Sequence, residues 1–187
     1  MDSSPGERDV VGALEADLVA LAAADADLER DAEVAERTRI ERAQVLLRDR
    51  LRAARGSVHV MLLGGGRLDG PVIDIGDGWV VVGHVRPGHR HPTSEHLVRL
   101  DAVLTVGGLA GAASPAASAL AARPIAAVLR AWCRDRSEVT VLFADGSTLR
   151  GRASATYADH VDVVPDDGQA VSVAISAVVA LERMHLA

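Results

Sequence analysis

Four of the chain's seven histidines, His84, His89, His91 and His96, fall within one short stretch together with Arg86, Arg90 and Glu95. Imidazoles and a carboxylate at that density could hold a zinc ion if the loop converged them. Spacings of five, two and five match no recognised ligand pattern, however, and the plainer reading is a solvated loop. With Arg86 and Arg90 the same loop offers a local patch for an anionic partner. A second set of cations, Arg37, Arg39, Arg42, Arg48 and Arg52, lies upstream within a run of seven arginines between residues 37 and 55. These ten residues, the five upstream arginines with His84, Arg86, His89, Arg90 and His91, are the candidate binding residues, the contacts being to phosphates or to an acidic protein surface.

Other chemistries fail on their surroundings. Gly64, Gly65 and Gly66 resemble a phosphate-cradling loop, but such loops need a helix immediately afterward and the pattern here continues as a strand. Arg48 to Arg52 and Arg130 to Arg134 repeat an R-x-x-x-R spacing like that of cyclic-dinucleotide-binding PilZ domains. The companion D-x-S-x-x-G misses by one residue in Asp145-Gly-Ser147-Thr-Leu-Arg-Gly151. Serines are scattered among turns, no nucleophile elbow occurs, and the single cysteine, Cys133, sits on an expected helix beside Trp132 as a small packed side chain. The sequence reading is therefore non-enzymatic, with no cofactor and no metal. Trp79 and Trp132 read as packing anchors rather than base-stacking platforms.

The elements that position these residues are written in an internal repeat. An offset of 81 carries Val58 to Val82 onto Val139 to Val163, placing Val60 on Val141, Leu68 on Leu149, Gly70 on Gly151 and Val80 on Val161. The preceding helices align too, Leu47 on Val128, Leu51 on Trp132 and Arg55 on Arg136. After Val82 the offset falls to 75, with Val98 on Val173 and Val103 on Val178. The histidine and arginine loop is thus a six-residue extension that the second copy lacks. Each copy reads as a helix followed by five short strands with a glycine in the second, the signature of a bent sheet closing on itself.

The expected fold is α+β, mainly β: a helical arm over residues 1–56, a first barrel over 57–106, an alanine-rich linker and helix over 107–137, and a second barrel over 138–187. Ser4-Pro5-Gly6-Glu7 has the form of a capping box that opens the arm. Leu14, Leu18, Leu21 and Leu28 then give a narrow stripe whose phase slips before Ile40, Leu47 and Leu51. One long helix ending at Gly56 and a hairpin breaking between Ala22 and Ala35 both fit. Residues 1–36 carry eleven acids against two arginines, whereas 37–55 carry seven arginines against two acids. Such complementary halves favour antiparallel pairing, which makes a homodimer through the arm an expectation. A solvated helix covering the barrel, and phosphate contact by the arginines, are the alternatives.

This order of helix and bent strands resembles the Sm-like fold over residues 40 to 106 and 122 to 183, with SH3-like barrels sharing the strand plan. The resemblance implies single-stranded RNA bound on rings of subunits by a D-x-x-x-N-type loop. The corresponding loops here, Asp74-Ile-Gly-Asp77-Gly and Ala155-Thr-Tyr157-Ala-Asp159, contain no asparagine, so those residues do not carry over. The layout also resembles a group of proteins from high-GC bacteria, some labelled Fis-type transcriptional regulators. That label implies a helix-turn-helix, and no helix pair of that kind is legible.

Composition supplies the remaining bounds. The hydrophobic fraction is 49%, yet only four residues are aromatic, so the cores must be aliphatic. All 20 basic residues are arginine and asparagine is absent, as a GC-rich genome would produce. One cysteine suits a reducing compartment, no signal peptide is legible, and the alanine-rich stretch carries Arg123 and Arg130, which a bilayer would not accept. The expectation is a cytoplasmic adaptor that binds a protein partner through barrel edges, loops or arm. Nucleic-acid binding is the alternative, disfavoured by a net charge of -6.

Overall fold

The computed structural model describes residues 25, 27–85, 89, 92–109, 111, 113–114 and 123–184, so the capping box and Arg86, Arg90 and His91 lie outside the described residues. Residues 1–45 and 46–187 form two separate compact units. In the first, residues 27–43 form helix α1, continuous over the described part, 27–35, of the stretch where a hairpin break was one of the two expectations. It does not run on to Gly56, because residues 44–46 are non-helical. Its exposed face is laced by short-range ion pairs, Arg30 with Asp27 at 2.7 Å and Arg37 with Glu33 at 3.1 Å. Such pairs stabilise a solvated helix by only a few tenths of a kcal/mol each, roughly 0.3–0.5.

The second unit contains α2 (Leu47–Ala53), β1 (Ser57–Leu62), β2 (Arg67–Ile75), β3 (Trp79–His84), β4 (Ser94–Arg99), β5 (Val103–Gly107), α3 (Ile125–Arg134), β6 (Glu138–Phe143), β7 (Thr148–Thr156), β8 (His160–Val164), β9 (Val171–Ala174) and β10 (Val178–Met184). Two tandem closed barrels are the sequence expectation, and the structure corrects it. All ten strands belong to one open antiparallel sheet in the order β5-β1-β2-β3-β4-β10-β6-β7-β8-β9. Each half keeps the same internal order, with its fifth strand beside its first. Neither half closes, because β4 pairs with β10 of the other half, matching Val98 to Ala180 and Leu97 to Leu181.

The reason lies in β3 and β4. Residues Trp79 to Gly83 are buried without interruption, and Leu97 and Val98 are both fully buried although they point to opposite faces. Strands that are apolar on both faces need cover on both. Val80, Val82 and Val98 turn toward a core with Leu51, Val58, Val60 and Leu62, into which Val179 and Ala180 of β10 also pack. Trp79, Val81 and Leu97 turn the other way, into a core with Leu129 and Trp132 of α3, Val139, Val141 and Leu181. Each half thus completes the other's core. The Trp79 indole donates to the Arg123 carbonyl at 2.7 Å, and the Arg123 guanidinium lies 5.2 Å over its ring, so the polar tip of the buried tryptophan is satisfied.

The repeat is as exact in geometry as in sequence at its glycines. Gly70 crosses the backbone of Gly83 so closely that an added Cβ would sit 1.6 Å from the Gly83 carbonyl oxygen, and its counterpart Gly151 would meet the Val164 oxygen at 2.5 Å. A register shift follows each, between Val72 and Asp74 in β2 and between Ala153 and Ala155 in β7. Glycine followed by a bulge is how a long strand bends to serve two neighbours. Helix α3 ends in a left-handed residue, Arg136, with φ 51°. Its amide donates to the Cys133 carbonyl and that of Ser137 to the Trp132 carbonyl, a Schellman closure in which glycine is usual and a side chain costs about 1 kcal/mol.

Gly70→Ala is expected to destabilise the sheet by about 3 kcal/mol or more, since the clash is with backbone and no rotamer relieves it. Gly56→Ala, where the added Cβ meets nothing within 4 Å, should change stability by less than about 0.5 kcal/mol. Urea denaturation of the two variants measures the contrast.

Candidate functional site: the open sheet edges

An open sheet has two edges, and each exposes a row of unpaired amides and carbonyls. Here they are β5 and β9. The repeat makes the interior of the chain a control for both. β5 is the counterpart of β10, and β9 is the counterpart of β4, which is the pair that meets at the centre of the sheet.

The β9 end is polar at three positions that are buried in the first half, although it also exposes Val171 at 43%. The positions that correspond to buried Trp79, Val81 and Leu97 hold His160, Asp162 and Ser172. The Ser172 hydroxyl donates to the Asp162 carboxylate at 2.7 Å, and Ser154 donates to the Asp162 carbonyl at 3.1 Å. The His160 ring stacks on Tyr157 with centroids 4.3 Å apart. β8 accordingly alternates in burial where β3 is buried throughout. Charged and hydroxyl side chains on an outermost strand pair are a recurrent way of discouraging further strand addition.

The β5 end has kept apolar character. Leu104 is 56% exposed, whereas its counterpart Val179 is 2% exposed, beneath the opposite half's core. Met61, on the paired β1 strand, is 42% exposed. Val103 and Val106 are half-buried against the core. β5 therefore presents free backbone groups beside a bare leucine, with no covering element among the described residues.

The central seam holds several of the more enclosed polar groups among the described residues. Arg183 donates to Glu95 at 2.7 Å and to Asp135 at 3.3 Å while lying 5.0 Å over the Trp132 ring. Arg99 donates to the carbonyls of Ile175 at 3.1 Å and Val178 at 3.3 Å, tying β4 to the turn that leads into β10. His96 faces Glu182 across the seam at 3.8 Å, contacts the buried Ser94 hydroxyl at 3.4 Å, and meets the His84 ring edge-on at 6.3 Å. Burial lowers the His96 pKa below the ordinary imidazole value, with His84 adding to the effect and Glu182 opposing it.

Within the second unit the described candidates are divided between α2 and the far end of β3, and those of the first unit lie on α1. Arg37, Arg39 and Arg42 lie on α1, with Arg37 paired to Glu33 and Arg39 to Glu36. On α2, Arg48 pairs with Asp77 at 3.0 Å and Arg52 with Asp49 at 2.8 Å, and Arg52 also donates to the Ser114 carbonyl. His84 stands at the far end of β3 from that helix contact, roughly 17 Å along the strand. His89 is exposed, and among the described residues no three His, Cys, Asp or Glu side chains converge as metal ligands. The two edges and the seam carried a sequence signal that the motif reading passed over: unbroken WVVV in β3 against alternating HVDVV in β8. No helix among the described residues is long and apolar enough to cross a membrane. The chain matches no known protein family, no curated protein and no solved structure.

Because the folded chain resists protonating His96, it binds fewer protons than the unfolded chain just below the ordinary histidine pKa, so stability must fall as pH drops through that range. Urea denaturation at pH 7.5 and 5.5 should show a loss on acidification that is smaller in His96→Gln.

Proposed function

We propose that the chain is a non-enzymatic adaptor that binds an extended segment of a protein partner by adding it as a strand to β5. The observation that carries this reading is the contrast between Leu104 and Val179. The same position of the repeat is sealed by a strand in one half and bare in the other. Strand addition satisfies the backbone groups of an edge and places alternate side chains of the incoming segment on either face. An apolar residue over Leu104 would supply selectivity. The opposite end, with Asp162 and Ser172 hydrogen-bonded to one another, is the weaker dock for such a segment. The arginines of α1 and α2 pair largely with nearby acids, which supports protein binding over phosphate binding for that set.

Leu104→Arg should leave the fold intact, since the side chain is mostly exposed, and remove the partners that the wild-type chain captures from its native cell. Val171→Arg, on the polar edge, should retain them. Capture unchanged by Leu104→Arg, together with a salt-dependent mobility shift of labelled RNA or DNA that is lost when Arg37, Arg39 and Arg42 are changed to Gln, would instead establish nucleic-acid binding.

A further inference from the structure

The second half carries two arginine side chains, Arg136 and Arg152, that neither the fold nor the β5 edge uses. Helix α3 ends at a recess of about 510 Å³ lined by Asp135, Arg136, Ser137, Glu138, Arg152 and Arg183, with Met184 at its side. A smaller recess of about 290 Å³ shares Arg136 and Arg152 and adds Ser154. The acids of the large recess are already engaged, Asp135 by Arg183 at 3.3 Å and Glu138 by Arg150 at 3.2 Å. The side chains of Arg136 and Arg152 make no hydrogen bond or ion pair among the described residues. Arg150 and Arg183 are shared among three acids, Glu95, Asp135 and Glu138, so Arg136 and Arg152 leave this concavity with an excess of one positive charge.

Arg136 is also the only non-glycine residue among those described with positive φ. Its position in the Schellman closure is one that glycine fills at lower conformational cost, so the side chain is kept against the preference of the backbone. The helix carbonyls that would repel an anion here are occupied: those of Ala131, Trp132 and Cys133 accept from the amides of Asp135, Ser137 and Arg136. In the first half Arg136 has a counterpart in Arg55, but those of Arg150 and Arg152 are Asp69 and Pro71, so the pairing of Arg136 with Arg152 is peculiar to this end of the chain.

We infer that this recess binds a small phosphate-bearing anion, held by Arg136 and Arg152 with Ser137 as a hydroxyl donor. The planar forks of arginine match phosphate oxygens in pairs, and the volume lies within the range of about 300–1,000 Å³ that accommodates small molecules. This site is independent of the strand-addition edge.

The test uses the full chain at low ionic strength, with ADP and inorganic phosphate as probes and sodium chloride at matched ionic strength as the control. Melting temperature should rise saturably with the phosphate probes and not with chloride. A tighter response to ADP identifies an organic phosphate as the ligand, and an equal response identifies the free oxyanion. Arg152→Gln and Arg136→Gly should each weaken the response about tenfold, the loss of a charge-assisted contact. Arg136→Gly should do so while melting higher than wild type without ligand, because glycine accepts the left-handed backbone; this separates loss of binding from loss of fold. Absence of a saturable response, a response equal with chloride, or unchanged affinity in both variants overturns the inference.

Discussion

The pairing of β4 with β10 is the constraint on which the rest of the molecule depends. It turns two similar half-sheets into one sheet and buries the outer faces of β3 and β4. Full burial of Trp79 and Leu97 stabilises the chain by about 2–3 kcal/mol each on transfer grounds. Those side chains belong to the first half and fill the second half's core, while Val179 and Ala180 do the reverse. Separation of the halves would expose both cores together. The two halves are therefore expected to unfold as one cooperative unit, unlike beads on a linker.

The seam also explains where the polar groups went. Arg99 and Arg183 sit on the two paired strands and direct their guanidinium groups at partners across the junction, including backbone carbonyls at the turn before β10. A pairing held only by backbone hydrogen bonds can slip, and a two-residue slip preserves the faces of every side chain. Arg183 on Glu95 fixes one register at a site where both partners are mostly enclosed. Breaking such a pair leaves a poorly solvated charge behind, which gives it more leverage on register than on stability.

Much of this was legible in the residues, though not the part that decided the architecture. The offset of 81 located both bending glycines and matched the strands one for one, and Gly70 and Gly151 do make the closest backbone approaches. The expectation of closed barrels failed because closure was inferred from strand count and bend alone. Whether β4 meets its own β5 or another strand depends on which faces need cover. That information lies in the continuous apolar run Trp79 to Val82, which strand count alone does not distinguish from any other short strand. The candidate cations were chosen by density in sequence, so they favoured α1, α2 and the histidine loop. Arg136 and Arg152 lie sixteen residues apart, and only the turn after α3 and the pairing of β6 with β7 bring them to one concavity.

Duplication sets a problem that the second half resolves. A chain that ends in the same two kinds of edge that pair at its centre could in principle add copies of itself head to tail, and such heterologous contacts propagate unless the rotation closes. The apolar surfaces that drive the central pairing are absent at one end. Trp79, Val81 and Leu97 have His160, Asp162 and Ser172 as counterparts, and the last two are hydrogen-bonded to each other. A second chain docking there would have to desolvate that pair without gaining a buried tryptophan, which removes the main favourable term. The β5 end needs no such change for solubility if a segment of another protein covers it, and Leu104 remains in place. The two ends of the sheet are thus unlike, and on the proposed reading only the β5 end accepts an added strand.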